Sequence, residues 1–156
     1  MAWEIERRFL VRGRPWEGHP GDDIVQAYLA SQDGRTVRVR LRGGVGTLTV
    51  KGPTRGRTRA EFEIDVPAEQ VVAMVEALQP PGRILKTRYL VPFEGHTWEV
   101  DVYRGDNEGL VVAEIELDAE DEAFALPPWA GDEVSDDRRY TNAWLAEHPW
   151  PTWRDA

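Results

Sequence analysis

The chain has no cysteine, which excludes disulfides, thiol chemistry and any cysteine-built zinc site. Lysine is almost as scarce. Lys51 and Lys86 are the only two, and every other basic side chain apart from histidine is an arginine. A chain that relies on arginine for solubility can keep lysine for places that need a compact ammonium. Genomic base composition accounts for the same bias, and both explanations stand. Long apolar runs are also missing: none approaches the roughly 20 residues of a membrane helix. The N-terminus opens on charged residues with no apolar leader, so a cytoplasmic protein outside the membrane is expected. Positive charge is in deficit. The net charge of −9 works against non-specific nucleic-acid binding. No G-x-x-x-x-G-K-[ST] loop occurs, which argues against a P-loop nucleotide enzyme. His19, His96 and His148 fall in expected loops or at a helix end and receive no role.

What remains is a folded chain. It has 156 residues, 41% hydrophobic residues and seven tryptophans, enough for one domain over residues 1–156 with a real core. Its main signal is strict alternation. Residues 3–11 place Trp3, Ile5, Phe9 and Val11 on one face and Glu4, Glu6 and Arg8 on the other. Further strands are predicted at 24–30, 36–42, 47–51, 60–66, 84–91, 97–103 and 110–117. Asp33-Gly34 and Gly43-Gly44 read as turns. Pro67 to Leu78 is the clearest helix, with Val71, Val72, Val75 and Leu78 as its apolar face. In the tail, a short helix is expected from Asp118 or Ala119 through Phe124. A second is expected around Tyr140 to Glu147, with Ser135 as an N-cap candidate. Trp150 and Trp153, between prolines, are expected to pack back as a lid.

Two arrangements fit the alternation. The apolar faces can form the core of a sandwich with the charges in water. Alternatively, the sheet closes with its charges inward around a wet tunnel, and helices cover the apolar outside. Ordinary surfaces interleave signs. Here whole strands are basic (Arg38, Arg40; Lys86, Arg88) and others acidic (Glu61, Glu63; Glu114, Glu116), which favours the tunnel.

Glu4-Ile5-Glu6-Arg7-Arg8 resembles the Glu-x-Glu-x-Lys motif of the CYTH family, the triphosphate tunnel metalloenzymes. The likeness continues in order through Gln26 to Leu29, Val37 to Arg40, Leu48 to Gly52, Glu61 to Glu63, Lys86 to Tyr89, Trp98 to Val102 and Ala113 to Leu117. It implies an α+β fold: a closed eight-stranded antiparallel barrel with a charged lumen and a few flanking helices. The departure is Arg8, where the family has lysine. The charge is kept, but arginine makes a wider, planar contact.

Phosphoryl transfer needs positioning and charge neutralisation more than covalent chemistry. Arg8, Arg38, Arg40, Lys51, Lys86 and Arg88 are therefore the expected triphosphate ligands. Arg42, Arg55, Arg57 and Arg59 are assigned to the rim or to loops. Carboxylates two apart on one strand share a face and suit a hydrated Mg²⁺ or Mn²⁺. Glu4/Glu6 and Glu114/Glu116 are the best pairs, with Glu61, Glu63 and Asp101 as second choices. The resemblance suggests Tyr28 and Lys51 as catalytic residues; a metal-held water near Glu4 or Glu6 is an equal candidate. The expected activity is metal-dependent hydrolysis of inorganic triphosphate. A cyclase of the CYTH type, an organic triphosphatase acting on thiamine or nucleoside triphosphate, and a non-catalytic polyphosphate-binding module remain alternatives. Either a monomer or a homodimer fits.

Overall fold

A computed structural model describes residues 1–155. Alternation becomes strand almost everywhere it was predicted. The strands are β1 (Ala2–Val11), β2 (Gly21–Gln32), β3 (Arg35–Arg42), β4 (Val45–Lys51), β5 (Thr58–Val66), β6 (Arg83–Phe93), β7 (His96–Arg104), β8 (Val111–Glu116) and β9 (Ala130–Glu133). Helix α1 (Ala68–Leu78) follows β5, and α2 (Asn142–Glu147) lies in the C-terminal segment. Asp33-Gly34 and Gly43-Gly44 both have positive φ throughout, the geometry that lets a two-residue turn follow the twist of its strands.

The pairing order is β5-β4-β3-β2-β6-β7-β8-β1, and β1 also pairs with β5, so eight antiparallel strands close into a barrel. Closure depends on β1. Its first half, Ala2 to Ile5, pairs with β5; Glu6 to Leu10 pair with β8. Where β5 leaves that edge, β9 takes it over, aligning with Phe9 and Val11. This ninth strand was not foreseen. Ala130-Gly131-Asp132-Glu133 is too short and irregular to show a period; it is a strand because β1 offers an edge there.

The charged faces do turn inward, and apolar clusters form outside the wall. Ala27 and Val39 pack under Val71 of α1. Phe9, Trp98, Val100, Ala113 and Ile115 pack under the segment carrying Phe124 and Trp129. That segment is not the helix expected over 118–124. It makes one turn and then runs extended, because Glu122 is committed to the Asp118 N–H and to His96, and Phe124 reaches over Trp98. The face of α1 is also narrower than expected: Val71 is buried, whereas Val72 and Leu78 are exposed. A helix on a convex wall touches along one thin stripe. Nor do helices cover the whole exterior, since Trp3, Phe62 and Ile64 are more than half exposed.

One end of the lumen is filled. Ile84, Tyr103, Leu110 and Val112 meet Leu145 of α2, and Trp150 and Trp153 pack against this floor. The expected tryptophan lid is therefore present. Thr141, not Ser135, caps α2, accepting from the Trp144 N–H. Asn107 pins the segment: its Oδ1 accepts from Trp150 N at 2.8 Å and its Nδ2 donates to the Leu145 carbonyl at 3.5 Å.

Candidate active site

Above the floor lies a polar cavity of about 260 Å³. Alternation delivers its lining. Successive inward residues of β1 are Glu4, Glu6 and Arg8; of β3, Thr36, Arg38, Arg40 and Arg42; of β8, Glu114 and Glu116. Tyr28, Lys51, Glu61, Glu63 and Arg88 complete the set of expected site residues at the cavity wall. Lys86 and Asp101 are absent from that wall. They lie one layer deeper, almost without exposure, with Lys86 Nζ 2.7 Å from Asp101 Oδ2. Arg42 and Arg59, assigned to the rim or to loops, both line the cavity, Arg59 from strand β5 and not from a loop. Thr36, Thr49, Glu99 and the Thr141–Ala143 stretch, none of them among the expected site residues, line the cavity too. The threonines carry no charge signal, and Asn142 arrives from a tail with no strand pattern.

Ion pairs link most of the charges. Lys51 Nζ sits 2.7 Å from Glu4 Oε2 and 3.5 Å from Glu61 Oε2. Arg8 reaches Glu6 at 3.0 Å and Glu114 at 3.3 Å. Arg88 donates to both oxygens of Asp101, at 2.8 and 2.9 Å, and to Glu99 at 3.0 Å. With Lys86 also donating, both Asp101 oxygens are taken. Burial raises the Asp101 carboxyl, but Arg88 and Lys86 together hold it well below the usual range. Burial pushes the Lys86 ammonium down; Asp101 pulls it back, and Arg88 and Arg40 push it down further. The asymmetry is physical: the carboxylate has two cationic partners, while the ammonium has one anion and cationic neighbours.

Three arginines differ from the rest, and one of them, Arg59, donates to the backbone carbonyls of Gly52 and Gly34, each at 3.0 Å. Arg38 donates from Nη2 to Thr49 Oγ1 at 3.1 Å, and Arg40 from Nε to Gln26 Oε1 at 2.8 Å; neither meets a carboxylate among the described residues. Arg38 is 7% exposed, and its Nε is buried without a partner among the described residues. Burial, with Arg38 and Arg88 nearby, lowers Arg40 to about 10. Buried cations without counter-charge are costly unless a ligand supplies it.

The opposite wall has an excess of acid. Burial raises the Glu6 carboxyl, Arg8 lowers it and Glu4 raises it again. Glu114 is raised by burial and by Glu6, against Arg8. Glu116, raised by burial and then by Glu4 and Glu99, meets no cation within ion-pair distance among the described residues. Tyr28 and Lys51 do not contact each other among the described polar contacts. The Tyr28 hydroxyl accepts from Gln26 Nε2 at 3.2 Å, while Lys51 is held by Glu4 and Glu61.

Comparison with known proteins agrees with this architecture. The CYTH domain matches residues 2–141. An inorganic triphosphatase of Acetivibrio thermocellus is 40% identical over 156 residues, covering 99% of this chain and 100% of that protein. An inorganic triphosphatase of Nitrosomonas europaea is 36% identical, covering 92% of this chain and 96% of that protein. The crystal structure of the inorganic triphosphatase NE1496 superposes with a TM-score of 0.69 at 34% identity, covering 94% of this chain and 96% of that one. This chain belongs to the CYTH domain family.

Proposed function

We propose that the chain hydrolyses inorganic triphosphate inside the barrel with the help of a divalent metal ion, as a single domain over residues 1–156. One observation carries the polyanion reading: Arg38 and Arg40 are held in the cavity wall without a carboxylate partner among the described residues. A triphosphate, with about four negative charges, supplies the missing counter-charge at several points along its length. Full-length similarity to two inorganic triphosphatases supports the choice of substrate.

The chain's residues divide the work. Arg38, Arg40 and Arg88 grip phosphate oxygens, with Arg8 and Lys51 at the boundary between the basic and acidic walls. Asp101 is better suited to orienting Arg88 and Lys86 than to ligating metal, because both its oxygens are occupied. Lys86, beneath the cavity wall, acts through that same network. Glu4, Glu6, Glu114 and Glu116 are the carboxylates that would hold the ion, with Glu61 and Glu63 flanking them.

The donor set fits a hard cation such as Mg²⁺ or Mn²⁺, since every donor is a carboxylate oxygen and their mutual repulsion is only partly cancelled. No ready-made cluster of three or more metal-ligating side chains occurs among the described residues. An ion there would draw on those of the four carboxylates within its reach and complete its shell with water and the substrate's own oxygens. When bound, such an ion neutralises phosphate charge and makes water a better nucleophile. Glu4 and Glu6 line the same cavity as the phosphate-gripping arginines, where a carboxylate can orient that water or take its proton. Lys51, tied to Glu4, supplies charge at the same end.

A substrate panel tests this reading. The protein is incubated with tripolyphosphate, ATP and thiamine triphosphate, with Mg²⁺, Mn²⁺ or chelator, and phosphate, pyrophosphate and cyclic AMP are assayed. Phosphate release should be fastest from tripolyphosphate and should stop with chelator. Cyclic AMP with pyrophosphate as the main products would overturn it.

A further inference from the structure

Two cations of the cavity bridge acids on neighbouring strands: Lys51 joins Glu4 to Glu61 with an ammonium, and Arg8 joins Glu6 of β1 to Glu114 of β8 with a guanidinium. Arg8 Nη2 donates to Glu6 Oε1 at 3.0 Å and its Nε to Glu114 Oε1 at 3.3 Å. Glu114 lies directly across from Arg8 in the β1–β8 register, and Glu6 across from Glu116. The backbone holds the guanidinium's root in place: Arg8 N donates to Ser135 Oγ at 3.0 Å, and Val134 N donates to the Arg8 carbonyl at 2.9 Å. The side chain is 12% exposed, so water does little to weaken either pair. A guanidinium spreads its donors over a rigid plane and can satisfy two separate carboxylates at once; an ammonium is a compact point charge.

We propose that Arg8 is an internal counter-cation, a residue that sets metal affinity by occupying the Glu6–Glu114 pair and competing with the divalent ion for it. The proposal rests on the reading that these carboxylates hold the ion. In the unliganded chain, Arg8 neutralises the acids that a metal would otherwise use. An arriving triphosphate offers the guanidinium phosphate oxygens in their place. As Arg8 turns to them, Glu6 and Glu114 become available to the ion. Polyanion and metal therefore bind with positive linkage, each raising the affinity of the other. Arg38 and Arg40 take no part in this exchange, because their hydrogen bonds go to Thr49 and Gln26 and not to a carboxylate.

The test is Mn²⁺ affinity of the protein alone, read by electron paramagnetic resonance or calorimetry with no phosphate compound present. Wild type is compared with Arg8→Gln, Arg8→Lys and Arg40→Gln, and circular dichroism melts establish that each is folded. Arg8→Gln should bind Mn²⁺ about tenfold more tightly than wild type, the scale of one charge-assisted hydrogen bond that no longer competes with the ion. Arg8→Lys should tighten it by a smaller factor. Arg40→Gln removes the same charge from the same cavity while leaving the acids and their partner in place, and should change affinity far less. Equal or weaker binding in both Arg8 variants would overturn the proposal. So would a gain in Arg40→Gln that matches Arg8→Gln, since net charge would then explain everything. If Arg8→Gln does not fold, Arg8→Lys decides alone, because it keeps the charge and loses only the span. Chelator-insensitive hydrolysis with no Mn²⁺ bound by any variant overturns the metal reading and the proposal together. Chelator-sensitive hydrolysis with affinity indifferent to Arg8 overturns the proposal alone.

Discussion

The two ends of the lumen are built from the same strand faces and have opposite chemistry. Along β1 the inward residues run Glu4, Glu6, Arg8 and then Leu10; along β8, Glu116 and Glu114 and then Val112. β7 passes from Glu99 through Asp101 to Tyr103, and β6 from Arg88 through Lys86 to Ile84. Each of these four strands changes from charged to apolar toward the same end of the barrel. The charged end leaves a cavity, while the apolar end is packed solid against Leu145. A barrel of this size can do either, depending on the side chains it points inward. The difference shows how a closed sheet becomes a cup: polar groups keep water and ligand at one end, and apolar groups expel them at the other. Lys86 and Asp101 sit at the junction, where pairing and extra hydrogen bonds offset the cost of burying both charges.

The contrast between the ends breaks most visibly at Glu116. It lines the cavity and, among the described residues, has no cationic partner to strand, so Glu116→Gln should lower kcat/KM for tripolyphosphate by about a hundredfold or more. The melting temperature should barely move. A melting temperature that fell while turnover survived would put Glu116 with the scaffold and not with the chemistry. Leu145→Ala is the opposite experiment at the floor. Leu145 is 1% exposed, and its truncation should cost about 2–5 kcal/mol in denaturant unfolding. KM should stay near wild type at temperatures where the variant is folded; a large rise in KM would mean that the floor shapes the substrate end.

Asn107→Ala is a finer probe of the same floor. It leaves the half-buried Trp150 N–H without its acceptor, an expected loss of about 1 kcal/mol, with kcat unchanged. A drop in kcat at full stability would tie the floor to the chemistry. The smallest effect belongs outside both ends, at the clasp holding β9. The Arg7 guanidinium, with Ser135 assisting, holds the Glu133 carboxyl down at about 2, from a usual 4.5. A depressed folded-state value contributes stability that is fully present above 4.5 and is lost as pH falls toward 2. Glu133→Gln should therefore melt slightly below wild type near neutrality and converge with it across that acid window. A constant gap between the two profiles, or none at any pH, would show that ionisation of the clasp adds nothing to stability.

Strand alternation belongs to local sequence, since side chains two apart share a face whatever the tertiary context. The strands, the main helix, the turn at Asp33-Gly34 and the pairing of carboxylates at Glu4/Glu6 and Glu114/Glu116 could all be predicted residue by residue. The period alone left open which face turns inward, since a charged face pointing to water and one pointing to a wet lumen share it; segregation of sign by strand and the family likeness favoured the lumen, and closure of β1 onto β5 realises it. Closure also decided who faces whom. It set Arg8 between Glu6 and Glu114, sank Lys86 and Asp101 beneath the wall, and directed Arg38 and Arg40 to Thr49 and Gln26 instead of to anions. It made β9 a strand by offering it an edge, and it brought Asn142 and Leu145 into the lumen from a tail with no period of its own. Chemical identity and shared face are set along the chain, whereas depth, partner and free charge depend on distances across it.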